Sequence, residues 1–346
     1  MTTSHAGSRT GRRGQRRTAT RTIVGAVAVG AAAALVASLV TLPDTVTERV
    51  VLATAAWVLP GSPDTTADGS AGRKLVGTFA QYAAAATFRR HHPLPAGVDD
   101  ADRVFRRLVA LRATLASQVE VAYAPPGGPA LLTGLGWCDE LNGAAAVTLA
   151  GELGRADLVG LHDPQTAAEH TVGRVWSRSR RRWLYFDLWG DRIAVFTASP
   201  AGARILASAD AHPARRLDPA ARASVERMWN RAAAGVPFTS FAPTFGGQLW
   251  LRARMAARRG SLVGPRSTTA IAAATAAAAM AATAPSAGPV LPVTTAQRFL
   301  RARLDQLEGD VPGARQAYRA VADAGGPHAA SPLALTAQLF LARLAR

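Results

Sequence analysis

Residues 134–151 read GLGWCDELNGAAAVTLAG, and this stretch decides the fold class. Cys138, the one cysteine of the 346-residue chain, stands where a glycine-rich turn changes into a run of small helix-forming residues. The run predicts a helix over 138–153 that ends at Gly154. A helix N-terminus stabilises a thiolate, which is the nucleophilic form of cysteine. Cys138 is therefore either a small buried hydrophobic side chain or a nucleophile.

A histidine and an aspartate occur in two strand-like runs after the cysteine. The runs are HTVGRVW (170–176) and WLYFDLW (183–189), and the basic turn 177–182 joins them into a predicted β-hairpin. His170 and Asp187 share a face of this hairpin when its register is odd. Partner numbers that sum to 357 put them opposite each other, and a sum of 359 puts them on a diagonal. A carboxylate between two apolar residues of a strand needs a partner of this kind.

In this order, the motifs resemble the transglutaminase-like core of the papain-like cysteine enzymes. GWCDELNGAAAVTLAGELG is similar to the family's G-x-C-x-[DE] helix, and EHTVGRVW and RRWLYFDLW are similar to its histidine strand and its W…D strand. The resemblance covers about residues 76–200. It implies an α+β fold in which the helix that bears the cysteine packs on antiparallel strands. The chain departs from the family at Thr171 and Gly173, which flank the histidine where bulkier residues are frequent.

The resemblance implies acyl transfer through a thioester. Cys138 would attack an amide carbonyl, His170 would move the proton, and Asp187 would orient the imidazole. The backbone N–H of Cys138 would supply one oxyanion donor, and Trp137 and Gln118 are candidates for a second donor or for substrate contact. Water or an amine would then take the acyl group from the enzyme. We expect a peptide or protein substrate, no cofactor and no metal.

Two other classes of protein are open alternatives. The same fold could act without turnover, as a surface-exposed binding or scaffold module, in which case the three triad residues would lie apart. A membrane-anchored helical module would instead bind a protein partner through helices at residues 296–346. The mutual reach of the three triad residues distinguishes these hypotheses from the enzyme.

The N-terminal residues predict a membrane anchor. Residues 1–21 carry six arginines and no acid, and residues 22–43 carry no charge. An apolar helix of about 20 residues spans the hydrocarbon core, and the basic side stays in the cytoplasm. We therefore predict a single-pass protein of the cell membrane with its main domain outside, where a substrate of the cell wall would be reached. A cleaved signal peptide is the alternative. Residues 44–75 are predicted to be a linker.

Residues 76–262 are predicted to form the main domain. Its first clear helix follows the acidic residues at 99–102, because apolar residues recur at helical spacing from Val104 to Leu115. The proline- and glycine-rich residues 124–134 are predicted to be a loop. The order of a helix and then a series of strands favours α+β layers.

Further along the chain, RIAVFTA (192–198) predicts a third strand, and Asp218 and Pro219 predict the start of another helix. Residues 263–293 are an alanine-rich low-complexity linker, in which a second membrane span at 267–289 is the alternative.

Residues 294–346 are predicted to be a helical hairpin that could bind a protein partner. Gly309, Ala314 and Tyr318 stand at the small, small and aromatic positions of a tetratricopeptide-like pattern. The alternative is an ordinary helical hairpin that docks on the main domain.

Charge and cysteine content exclude several classes. The formal net charge is +17, but all the basic residues except Lys74 are arginine, and no nucleic-acid-binding motif accompanies them. We therefore do not expect a nucleic acid as partner. A single cysteine excludes an intramolecular disulfide and cysteine-rich zinc sites.

Overall fold

The computed structural model is α+β, as the sequence predicts. It describes residues 44–53, 59, 69–123, 129–163, 165–166, 168–199, 201–211, 217–233, 239–241, 294–324 and 331–345. Helices and an antiparallel sheet alternate around one main hydrophobic core and a smaller one.

An antiparallel sheet of six strands forms the centre of the fold. The strands are β1 Ala116–Ser117, β2 Leu135–Gly136, β3 Ala156–His162, β4 Glu169–Ser177, β5 Arg182–Asp187, β6 Arg192–Ser199, β7 Gly202–Asp210 and β8 Thr239–Phe241. Strands β3 to β8 lie in the order β7-β6-β5-β4-β3-β8. The short strands β1 and β2 form a separate parallel pair.

Nine α-helices lie in the described part of the chain. They are α1 Asp44–Ala53, α2 Gly69–His91, α3 Asp100–Thr114, α4 Ala130–Thr133, α5 Cys138–Leu153, α6 Pro219–Ala233, α7 Thr295–Glu308, α8 Val311–Ala322 and α9 Pro332–Leu344. One face of the sheet contributes Leu158, Val175 and Phe186 to the main core, which also holds apolar residues of α3 and α5. The opposite face packs on Met228 and Trp229 of α6. The sheet is therefore covered on both faces.

The helix that apolar spacing predicts after Asp99 and the helix that the small-residue run predicts after Trp137 are both confirmed. Asp99 caps α3 by accepting the backbone N–H of Ala101 at 3.0 Å, and the side chains of Val104 and Leu115 are fully buried. Helix α5 spans Cys138–Leu153 and ends at Gly154, whose φ of 95° suits a residue without a side chain.

The β4–β5 hairpin adopts the second of the two predicted registers. Gly173 pairs with Phe186, and Arg174 pairs with Tyr185, so partner numbers sum to 359. His170 and Asp187 therefore lie on a diagonal of the hairpin, within reach of each other.

Gly173, a departure from the family pattern, has a steric reason here. A Cβ atom at this position would lie 2.0 Å from the ring of Phe186, its partner across the hairpin. Phe186 is fully buried in the main core. The aromatic ring thus occupies the space that a side chain at position 173 would need.

The structure corrects two local predictions and adds three strands. The predicted linker 44–75 contains α1 and the first turns of α2, and Thr47 and Val51, one turn apart, are buried on one face of α1. The predicted loop 124–134 contains the short helix α4. The sequence analysis does not predict strands β3, β7 and β8. Strand β3 is buried on both faces and therefore lacks an alternation of apolar and polar residues. Strands β7 and β8 lie at the edges of the sheet.

Three helices rather than two occupy the described residues 294–324 and 331–345. The predicted hairpin corresponds to α7 and α8, which Gly309 separates at φ 83°, and α9 is a third helix. Tyr318 of α8 stacks on Phe340 of α9 with ring centroids 5.6 Å apart. Both rings belong to the same core as α2 and α4, so these helices dock on the main domain.

The predicted membrane segment at 22–43 and the alternative span at 267–289 lie outside the described residues. Within the described part of the chain, none of the helices has the length and apolar character to cross a membrane.

Candidate active site

Cys138 is the first residue of α5. The preceding residue Trp137 is extended, and its backbone N–H donates to the carboxylate of Glu140 at 2.9 Å, which fixes the start of the helix. The cysteine is partly exposed, and the side chain of Trp137 is 54 % exposed. The thiol therefore lies at the positive end of a helix dipole and is open to a ligand.

His170 lies between the thiol and a carboxylate. Its Nε2 is 2.5 Å from Oδ2 of Asp187. The Cys138 side chain is close enough to interact electrostatically with the same ring. Because Asp187 occupies Nε2, Nδ1 is the nitrogen that remains for the sulfur. The histidine and the aspartate are buried, whereas the cysteine is partly exposed. The structure thus brings the three predicted triad residues together.

The charges of the buried pair support each other. Burial alone lowers the pKa of His170, but the charge of Asp187 and the hydrogen bonds to Asp187 and Cys138 raise it to about 10. Burial raises the pKa of Asp187, but the charge and hydrogen bonds of its partners outweigh burial and hold it below its ordinary value. At neutral pH the histidine is an imidazolium that donates through both nitrogens.

Asp187 keeps its charge in the interior because donors surround it. Besides His170, its Oδ1 accepts the backbone N–H of Trp189 at 3.0 Å and Nδ2 of Asn142 at 3.1 Å. Its Oδ2 accepts Nε1 of Trp229 at 2.9 Å. A buried carboxylate is tolerated when its lone pairs are satisfied in this way. Helices α5 and α6 both contribute to holding it.

Asn142 is a site residue that the sequence analysis missed. It lies one turn after Cys138 and is fully buried. Its Nδ2 also donates to the carbonyl of Thr171 at 2.8 Å, and its Oδ1 accepts the backbone N–H of Leu188 at 2.9 Å. It therefore joins the cysteine helix to both strands of the hairpin. The feature of the sequence that could have indicated this role is the amide side chain of Asn142, which directly precedes a run of small and apolar helical residues.

Gln118 directly follows a strand that pairs with the segment before the nucleophile. The parallel pair of β1 and β2 places Ser117 opposite Gly136, which is two residues before Cys138. Oε1 of Gln118 accepts Nε1 of Trp189 at 2.9 Å and the hydroxyl of Ser117 at 3.1 Å.

Trp189 links the Gln118 amide to the triad. Its ring contacts that of His170, with centroids 5.1 Å apart. With Oε1 of Gln118 engaged, the Nε2 group is the part of the amide that can donate to a ligand. Trp137, with its exposed side chain next to the thiol, remains a candidate for substrate contact.

One group of side chains in the described part of the chain has the donor types of a metal site. Asp44, His91 and Glu308 bring ligand atoms within 4.8 Å of one another. Asp44, however, already accepts hydrogen bonds from Arg90 and lies 3.1 Å from Nε2 of His91. These contacts join α1, α2 and α7 and do not involve the elements that carry the triad.

Comparison with protein-family models, with curated proteins and with solved structures finds no match to this chain.

Proposed function

We propose that this chain is a cysteine acyl-transfer enzyme of the transglutaminase-like type. The observation that carries the proposal is the position of His170, which is hydrogen-bonded to Asp187 and lies within interaction range of Cys138 at the start of α5. This chain of contacts is the arrangement that activates a thiol as a nucleophile. The binding-module alternative expects the three residues to lie apart, and no observation favours it.

The chemistry follows from the atoms in place. The Cys138 thiolate attacks the carbonyl carbon of an amide, and the carbonyl electrons move onto oxygen. The His170 imidazolium gives its Nδ1 proton to the amine as the C–N bond breaks, which leaves a thioester and a neutral imidazole. Water, or an acceptor amine, gives a proton to that imidazole and attacks the thioester. The C–S bond breaks, and the thiolate–imidazolium pair forms again.

Two donors would stabilise the oxyanion. The first is the backbone N–H of Cys138, which at the first position of a helix has no intrahelical acceptor. The second is Nε2 of Gln118. Asp187 stays ionised throughout, because its four hydrogen bonds come from groups that remain donors during the reaction.

The substrate class and location rest on the sequence. We propose a peptide or protein substrate, because the triad type acts on amides, and a site outside the cytoplasmic membrane, because residues 1–43 have the charge pattern of a signal-anchor. The substrate of an exported enzyme of this kind would be a cell-wall peptide or a surface protein.

The alkylation rate of Cys138 tests the proposal. We would measure the reaction of the full-length chain with iodoacetamide from pH 5 to pH 9, beside His170→Ala and with Cys138→Ser as the blank. A free thiol, with a pKa of about 8.5, is largely protonated at pH 6, so a preformed thiolate should react on the order of tens of times faster there. We expect this advantage in the native protein and its loss in His170→Ala. Equal rates in the two proteins would refute the triad.

A further inference from the structure

The segment that carries Gln118 is held by the C-terminal helices. We call residues 114–120 the donor strap. Arg303 of α7 is fully buried, and it donates to the carbonyl of Thr114 at 2.8 Å and to that of Leu131 at 3.1 Å. Arg343 of α9 donates to the carbonyl of Leu115 at 2.8 Å. Two arginines from outside the sheet therefore fix the backbone that leads into β1.

A buried carboxylate fixes the other end of the strap. Glu120 accepts the backbone N–H of Ser117 at 2.8 Å and forms ion pairs with Arg112 and Arg343. Burial raises the pKa of Glu120, but the charges of Arg112 and Arg343 together with the hydrogen bonds from Ser117 and Arg112 hold it below its ordinary value, so the carboxylate is charged. Its contact with Ser117 closes the single turn that contains Gln118.

The strap has little secondary structure of its own to hold it. Strand β1 has only two residues and pairs with a strand of equal length. A two-residue ladder does not hold a turn in one orientation by itself. Arg112 also donates to the carbonyl of Leu115, at 2.6 Å. The Gln118 amide is therefore held directly by Trp189 and Ser117, and its backbone is held by the groups that bind positions 114, 115 and 120.

We propose that Arg343 is a positioning residue of the active site, which acts through Glu120 to aim Nε2 of Gln118 at the oxyanion that forms on a substrate at Cys138. The inference rests on the proposed function. It assigns to the C-terminal helices a part in the site itself, in place of the separate partner-binding role that their sequence pattern indicated.

Two reagents separate this role from the activation of the thiol. Iodoacetamide forms a C–S bond as iodide leaves, and no oxyanion develops. p-Nitrophenyl acetate forms a C–S bond through a tetrahedral oxyanion, and p-nitrophenolate leaves as the C–O bond breaks. Loss of an oxyanion donor should slow the second reaction alone, and a full donor is worth on the order of 100-fold or more.

We would measure both rates for the full-length chain and for Arg343→Met. We expect acylation by p-nitrophenyl acetate to fall about tenfold or more while alkylation changes less than twofold, and we expect Arg343→Lys to recover part of the loss. Arg315→Met is the matched control, because Arg315 also contacts α9, at the carbonyl of Leu344, without touching the strap. We expect it to leave both rates unchanged.

Each other outcome overturns the inference. Unchanged acylation in Arg343→Met would mean that the strap does not depend on this arginine. An equal fall of both rates would mean that the arginine only stabilises the fold. If Arg343→Met does not fold, Glu120→Gln, which keeps the shape of the side chain, is tested in the same way against the same criteria. A different result would refute the proposed function itself. In that case, His170→Ala would be alkylated at the same rate as the native protein.

Discussion

The His170–Asp187 pair should make the stability of the fold depend on pH in the alkaline range. Despite burial, which opposes the charge, the pKa of His170 is raised to about 10, whereas in an unfolded chain it is about 6.5. Between these values the folded protein holds one proton that the unfolded chain does not. The free energy of unfolding therefore falls as pH rises. The contribution is complete below about pH 6.5 and is lost as pH passes through about 10.

The perturbation is Asp187→Asn, which keeps the size of the side chain and removes its charge. Without that charge, burial dominates and His170 is neutral in the folded protein at neutral pH. One proton changes the free energy of unfolding by about 1.4 kcal/mol per pH unit, so the pair should contribute a decrease of about 3 kcal/mol between pH 7 and pH 9. The variant should lack this decrease and be about 3–5 kcal/mol less stable at pH 7, because the buried pair is broken.

The assay is urea unfolding at pH 7, 8 and 9, followed by tryptophan fluorescence, with both proteins in a Cys138→Ser background so that the thiol does not titrate. Subtracting the free energy of unfolding of one protein from that of the other at each pH removes the contribution of the titrating groups that the two proteins share. Asp157→Asn is the matched control, because it removes a carboxylate that pairs with Arg174 and not with a histidine. Parallel stability curves for Asp187→Asn and its parent would refute the charged pair.

Three further variants test the contacts around the site. Asn142→Ala removes three hydrogen bonds between α5 and the hairpin and should lower the free energy of unfolding by about 3 kcal/mol in urea; a loss under about 1 kcal/mol would contradict this role. Gly173→Val should lower the free energy of unfolding by about 3 kcal/mol or more, because the new side chain clashes with Phe186. Phe186→Leu should relieve part of this loss in a double-mutant cycle. Additive effects of the two substitutions would contradict the clash. Trp229→Phe keeps an aromatic ring and removes a donor to Asp187; it should cost about 1–2 kcal/mol and slow alkylation of Cys138 at pH 6, and an unaltered rate would show that this donor is dispensable.

Local patterns in the sequence were sufficient for the parts of the site that depend on neighbours along the chain. The small-residue run after Cys138 predicts α5 with both ends correct. The short turn of the hairpin allows partner sums of 357 or 359, of the odd kind that the triad hypothesis requires, and the structure adopts 359. A period of two thus places His170 and Asp187 within reach before any tertiary contact is known.

Contacts between distant segments could not be predicted in the same way. Nothing near Trp229 indicates that its indole meets a carboxylate on β5, and nothing near Arg343 indicates a partner at Glu120. In each case the tertiary fold brings the two partners together, and no residue spacing near either partner predicts the contact. Helix α1 lies in the predicted linker for a related reason. Its short buried face packs on α2 and α7, and the local sequence does not indicate these contacts.

The contact between Glu120 and Arg343 joins residues that are 223 positions apart, whereas His170 and Asp187 are separated by 17. Closing the loop between Glu120 and Arg343 costs about 2 kcal/mol more in chain entropy than closing the loop between His170 and Asp187. Contacts between residues so far apart in sequence form late in folding. We therefore expect the charged pair to be established with the hairpin and the donor strap to be fixed afterwards, when α9 docks. A folding chain would then pass through a stage at which its thiol can be alkylated but cannot yet turn over an acyl substrate, so that recovery of the two reactivities after dilution from urea would differ in time.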